Sequence, residues 1–184
     1  MLKTKIIMKD NKITVIINEN NAILKYPRCK IETKAYIGKN GITTDKKEGD
    51  NCTPVGKFSL GIMLGTHPSI FNEKYKYKKI NPNMYWVDDI NSKHYNQLVD
   101  ISNIEKDWTT AEHLIEYPIQ YEYLIEIKTN PNNIPNKGSA IFLHCSNKNF
   151  THGCIAINRT DMFNLVNNID DDTKIDIIYL NMVK

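Results

Sequence analysis

"SAIFLHCSNKNFTHGCIAI", residues 139–157, decides how the rest of the chain is read. Its first seven residues, "SAIFLHC", form a short apolar run of the length of a strand buried on both faces, and too short for a helix. Further on, "FTHGCIAI" sets Cys154 between a glycine and another apolar run, with His152 two positions before it and His144 ten positions upstream. Residues alone leave three readings of Cys154: a nucleophile served by a histidine, a metal ligand, or an ordinary buried thiol.

Working outward, strands dominate. "ITVIIN" (13–18) and "AILKYPRCKI" (22–31) are rich in β-branched residues, with "ENN" between them as turn chemistry, and they read as a hairpin. "ETKAYIG" continues as a strand into the turn "GKNG", and "GKFSLGIML" follows Pro54 as another. Residues 66–120 read as a long aromatic and polar excursion. One short helix is expected there at "TTAEHLIEY", capped by Thr109 or Thr110 with Glu112 in its first turn. "YEYLIEIKT" alternates Tyr121, Tyr123, Ile125 and Ile127 against Glu122, Leu124, Glu126 and Lys128, as a sheet strand does, and "NPNNIPNKG" is a loop. "NRTDMFNLVNNI" places Met162, Leu165, Val166 and Ile169 at helical spacing behind a Thr160 cap, and "KIDIIYL" is a final strand. Strands without regular alternation with helices predict an all-β sheet or barrel with a few accessory short helices, in a single domain over residues 1–184.

The 184 residues suffice for one domain with a real core, and 24% charged against 41% hydrophobic residues is a soluble, globular balance. The net charge of +3 is mild and no Lys/Arg run marks a nucleic-acid footprint. No stretch approaches the ~18 apolar residues of a membrane span, so no membrane insertion is expected, and a monomer is. The first residues, interrupted by Lys and Asp, contain no signal-peptide h-region. Such a chain is cytosolic, has lost a leader, or is exported by another route. Cys29, Cys52, Cys145 and Cys154 form neither a disulfide-rich framework nor a CxxC zinc motif.

A cysteine nucleophile needs a base that raises its thiolate fraction and donors for the oxyanion it creates. Gly153 permits a sharp turn that aims the N–H groups of His152, Gly153 and Cys154 at one point, and His144 on a neighbouring strand can face the thiol. His144, Cys145, His152 and Cys154 are also four potential zinc ligands. Consecutive strand residues point to opposite faces, however, so His144 and Cys145 do not easily share an ion, and a Cys145–Cys154 disulfide is disfavoured for the same reason.

"HCSNKNFTHGCIAI" resembles the active-site signature of the L,D-transpeptidase catalytic domain: a histidine, a spacer, then Ser or Thr, His, Gly, Cys. "KKEGDNCTPVGKFSL" is similar to that family's Gly-Asp-x-x-Thr-Pro-x-Gly segment and "YWVDDINSKHYNQLVD" to its Trp-x-Asp-Asp…Tyr-Asn block. "AEHL", "YEYLIEI" and "KGSAIFLHC" follow in the expected order, so the resemblance spans roughly residues 13–180. It implies an L,D-transpeptidase-like β-sandwich or barrel and cysteine acyl transfer on peptidoglycan stem peptides in the bacterial cell envelope or outside the cell, with no metal or organic cofactor.

By that resemblance Cys154 attacks the carbonyl of the third stem residue and expels the terminal D-amino acid. An amine from another stem resolves the thioester to a 3→3 cross-link, or water resolves it in a carboxypeptidase reaction. His144 matches the catalytic histidine, with the Cys145 carbonyl fixing its tautomer; His152 and Gly153 shape the pocket and oxyanion hole; carbapenems would acylate the same thiol. Thr151, Trp86, Asp89 and His113 are the candidate substrate-binding residues. The aromatics Tyr75, Tyr77, Tyr85, Trp86, Tyr95 and Trp108 either line a peptide groove or form a satellite core under a long loop. Two departures stand out: the spacer from His144 to Thr151 is short, which implies a trimmed lid, and Ala156 stands where Asn or Arg is common.

Overall fold

The structure, a computed structural model, describes residues 11–19 and 21–180. The amino-terminal segment read above for a leader, and Asn20 of the "ENN" turn, lie outside that set. Chain order runs β1 (Lys12–Asn18), β2 (Asn21–Tyr26), β3 (Ile31–Tyr36), β4 (Ile42–Thr43), β5 (Thr53–Pro54), β6 (Gly56–Gly65), β7 (Tyr77–Lys79), β8 (Met84–Val87), β9 (Leu98–Asp100), β10 (Ala111–His113), β11 (Leu124–Ile127), β12 (Phe142–Cys145), β13 (Ile155–Ile157), α1 (Arg159–Val166) and β14 (Lys174–Tyr179). The expected β architecture with short helical accessories is the one observed.

The main sheet has the order β11-β12-β13-β3-β2-β1-β14-β6-β7, and β6 also pairs with β11. That extra pairing joins the two ends and turns the sheet into a barrel. The long strand β6 makes closure possible: its first half pairs with β14 and its second half with β11. β1 alternates strictly, with Ile13, Val15 and Ile17 buried and the residues between them half-buried, the period-2 pattern of a strand with one face on a core. The main core gathers these residues with Leu24, Tyr26, Ile125, Leu143, Cys145, Ile155, Ile157, Ile175 and Ile177, and Met162, Leu165 and Val166 of α1 join it.

Four local expectations are revised. The strand read at 121–129 starts only at Leu124 and ends at Ile127, because Gln120–Glu122 takes a 3-10 turn. Residues 22–31 do not form one strand: Pro27, with no N–H to give the ladder, opens a 3-10 turn over Pro27–Cys29 that ends at Lys30 with φ +59°. The segment 109–117 is not a helix. Ala111–His113 pairs with β8, and only Leu114–Glu116 takes a 3-10 turn. Thr109 caps nothing and gives its N–H and hydroxyl to Asp89. The helix after the cysteine motif begins two residues earlier than expected, with Asn158 in place of Thr160 as the cap, accepting the Asp161 N–H at 2.9 Å.

The long excursion carries a second, three-stranded sheet, β10-β8-β9. A second core of Leu64, Ile80, Met84, Trp86, Leu114, Tyr121, Leu124, Ala140, Phe142 and Cys154 lies between it and the barrel. β12 therefore belongs to two cores, Leu143 and Cys145 to the first and Phe142 to the second, and all four of its residues are buried.

The cap assignment is directly testable. Replacing Asn158 with Ala should cost about 1 kcal/mol in urea unfolding, whereas Thr160→Ala, at an exposed position, should stay within about 0.5 kcal/mol of wild type.

Candidate active site

β12 and β13 run parallel, with Leu143 opposite Ile155 and His144 opposite Ala156. Phe142 and His144 thus share a face with the residues at 154 and 156, while Cys145 points the other way. Cys154 stands immediately before β13, and its placement follows from the turn that delivers it. Thr151 accepts the Gly153 N–H at 3.2 Å and donates its hydroxyl to the Cys154 carbonyl at 2.7 Å. Gly153 sits at φ +137°, and a Cβ there would stand 3.0 Å from the Cys52 carbonyl oxygen. Glycine is required on both counts. The Thr53 hydroxyl, fully buried, donates to the Gly153 carbonyl at 2.9 Å and accepts the Gly38 N–H at 2.9 Å. Thr53 thereby ties the "NCTPVG" segment to the cysteine turn.

The Cys154 thiol donates to the Ala140 carbonyl at 3.1 Å and accepts the Phe142 N–H at 3.3 Å. His144 lies on the same pocket, an open cavity of about 250 Å³ whose walls also include Glu112, Tyr121, Thr151 and His152. His144 Nδ1 is 2.8 Å from the Cys145 carbonyl oxygen. An oxygen of that kind only accepts, so Nδ1 carries the proton and Nε2 is left as the basic nitrogen. The ring meets Tyr121 edge-on, with centroids 5.6 Å apart.

Burial sets the charge state. It pushes the thiol of Cys154 up to about 12, with the Glu112 carboxyl adding to the rise and the Phe142 N–H and Lys46 opposing it. It pulls His144 down to about 4, against the opposing bond to the Cys145 carbonyl. The resting pair is a neutral thiol and a neutral imidazole, not a thiolate–imidazolium pair. A neutral pair of this kind is suited to general-base chemistry, in which the proton would move as the bond forms.

The structure brings Cys154, His144, Gly153, Thr151 and exposed His152 to one place, with Cys145 contributing its backbone while its thiol lies in the main core. The Gly153 N–H turns inward to Thr151. Any oxyanion contact of the turn therefore falls to the N–H groups of His152 and Cys154. Trp86, Asp89 and His113 stand outside the pocket walls. Trp86 packs edge-on against Phe142, centroids 4.9 Å apart, and donates to Asn96. Asp89 accepts from Thr109 and Asn91, bonds that hold it down to about 2. His113 stacks on Tyr85, with its ring nitrogens on Glu116 and the Pro82 carbonyl. The other aromatics of the excursion are packing residues as well; Tyr75, for one, donates to the Gly61 carbonyl at 2.5 Å.

Sequence reasoning missed Glu112, Tyr117, Gln120, Tyr121, Asn147 and Phe150, which line the same cavity. The short spacer supplies Asn147 and Phe150. A strand reading of "AEH" would have flagged Glu112, because it sends that carboxyl to the face opposite Ala111 and His113.

Residues 5–177 match the family model of the L,D-transpeptidase catalytic domain, and the chain belongs to that family. No curated protein matches it. Among solved structures, L,D-transpeptidase 3 from Mycobacterium tuberculosis, in complex with a faropenem-derived adduct, aligns over 90% of this chain at 11% identity with a TM-score of 0.41. This chain spans 59% of that one.

The buried imidazole has a consequence for stability. His144 is near 6.5 when unfolded and about 4 when folded. The unfolded chain therefore binds the extra proton first as pH falls. Its contribution should be lost progressively from pH 6.5 to 4, about 3 kcal/mol in all. Urea unfolding of wild type and His144→Gln at pH 7 and pH 4.5 should show the variant losing less on acidification; equal losses would refute the neutral buried imidazole.

Proposed function

We propose that this protein is a cysteine acyltransferase of peptidoglycan stem peptides, cleaving before the terminal D-amino acid of a tetrapeptide and forming 3→3 cross-links. Membership of the L,D-transpeptidase catalytic domain family supports peptidoglycan chemistry. The observation that carries the reading is His144 held by the Cys145 carbonyl with Nε2 left basic, on the same pocket as the Cys154 thiol. In this reading Sγ attacks the third-residue carbonyl carbon as its proton passes to His144 Nε2. The tetrahedral intermediate then collapses, the C–N bond breaks, and the same proton goes to the departing amine. The thioester left on Cys154 is resolved by the amine of a second stem, or by water in L,D-carboxypeptidase action. A non-catalytic wall-binding module is the third reading, and the intact Cys154 and His144 pair weighs against it. Among the described residues no helix is long and apolar enough to cross a membrane; the substrate would place the enzyme in the bacterial envelope or outside the cell.

Incubation with disaccharide tetrapeptide, read by mass, separates these readings. Dimer with release of D-amino acid means transpeptidation, tripeptide and free D-amino acid without dimer mean hydrolysis, and no product together with no carbapenem adduct on Cys154 means the module. Cys154→Ala should abolish every product, and retention of more than a few per cent would exclude the thioester route. Within the same assay His144→Ala should lower the rate on the order of 10² to 10⁴-fold, and His152→Ala should cost less. The reverse order would move the base to His152.

A further inference from the structure

Glu112 is a pocket residue to which the proposed reaction gives no role. It sits in β10, whose register with β8 sets it opposite Trp86, and it lines the cavity together with Tyr121, His144 and Cys154. Tyr121 donates its hydroxyl to the Glu112 carboxylate. The same Tyr121 ring packs edge-on against both His144 and Phe142. One aromatic ring therefore connects Glu112 to the imidazole and to the strand whose N–H touches the thiol. No cation contacts Glu112 among the hydrogen bonds and ion pairs of the described residues, so its charge, when present, falls on the pocket.

We propose that Glu112 is a positioning residue that gates the nucleophile: bonded to Tyr121 beside the thiol, it makes Cys154 harder to ionise while charged and easier to ionise when neutral. Two like charges in one poorly solvated pocket are the physical cause, since each disfavours the ionisation of the other.

The surroundings allow Glu112 to change charge in the neutral range. Burial pushes it up to about 7, Asp88 and Glu48 add to the rise, and the Tyr121 hydroxyl opposes it. The groups that face it are Tyr117 and Tyr121, at the two ends of residues 117–121, Asp88 just after β8, and Glu48 from the loop between β4 and β5. Glu48 is itself held by the Tyr95 hydroxyl at 2.5 Å. Cys154 in turn faces Glu112, Tyr121 and His144, with Lys46 on the Gly153 side. Lys46 is paired with Asp50, so its charge is offset and the carboxyl of Glu112 is the uncompensated one.

The test reads the thiol and not the peptide reaction, so it stands or falls separately from the proposed substrate. Alkylation of Cys154 by iodoacetamide, mapped by peptide mass from pH 5 to 10, should rise in wild type with a shoulder near pH 7, where Glu112 acquires its charge. Glu112→Gln should remove the shoulder, matching wild type at pH 5 and exceeding it by about tenfold at pH 9, the equivalent of one pKa unit. Glu112→Asp should restore a shoulder, and Tyr121→Phe, which withdraws a donor from the carboxylate, should move it to higher pH. A constant ratio of Glu112→Gln to wild type at every pH would reduce Glu112 to a structural role. A slower variant at pH 9 would reverse the sign of the proposal. If Glu112→Gln does not fold, the wild-type profile decides: a line with no shoulder overturns the gate.

Discussion

The parallel pairing of β12 with β13 is the constraint on which the rest of this molecule depends. With Leu143 opposite Ile155, every second residue of both strands enters the barrel core and the alternate ones face the second core. A slip of one residue would exchange Cys145 for His144 and drive an imidazole into the aliphatic interior. Register is thus enforced by apolar burial on two sides at once. The site inherits that rigidity: His144 and Cys154 are placed by strands that hydrophobic packing already holds, and the loops add only the turn.

The cost of this arrangement is electrostatic. Cys154 and His144 are both buried, and burial opposes charge on each. The Ala140 carbonyl accepts a hydrogen bond from the thiol, and the Phe142 N–H is one of the few local groups that would favour a thiolate. A reaction that begins from two neutral partners needs no standing ion pair in a dry pocket, which would itself be expensive to maintain. In the proposed reaction the driving force for proton transfer would come from the substrate's own carbonyl as it develops negative charge.

What the sequence makes legible divides along the same line. β1, β12 and β14 are readable because alternation or an unbroken apolar run reports directly on burial, and the cysteine turn is readable because its spacing is specific. The segment "TTAEHLIEY" is not. Thr followed by Glu before Leu and Ile is a sound local helix signal, and it loses to pairing with β8, a contact that no local pattern announces. Once that segment is misread, Glu112 becomes a first-turn charge instead of a wall of the pocket. Trp86, Asp89 and His113 show the complementary limit. Each lies in a segment that resembles the family, yet their polar atoms are consumed by Asn96, Thr109, Asn91, Glu116 and Pro82. Side-chain partners of that kind are set by tertiary geometry alone.

The group that orients His144 is a main-chain oxygen, and this bears on how the protein tolerates change. Every amino acid at position 145 carries the same carbonyl, so no side-chain substitution there deletes the acceptor. Selection at 145 is free to act on what fits the barrel core, where the Cys145 side chain is 1% exposed. A mutational scan would record position 145 as a packing site and miss its part in fixing the imidazole. Only an edit to the polymer itself, such as an ester in place of the amide that carries this oxygen, weakens the acceptor and would expose it.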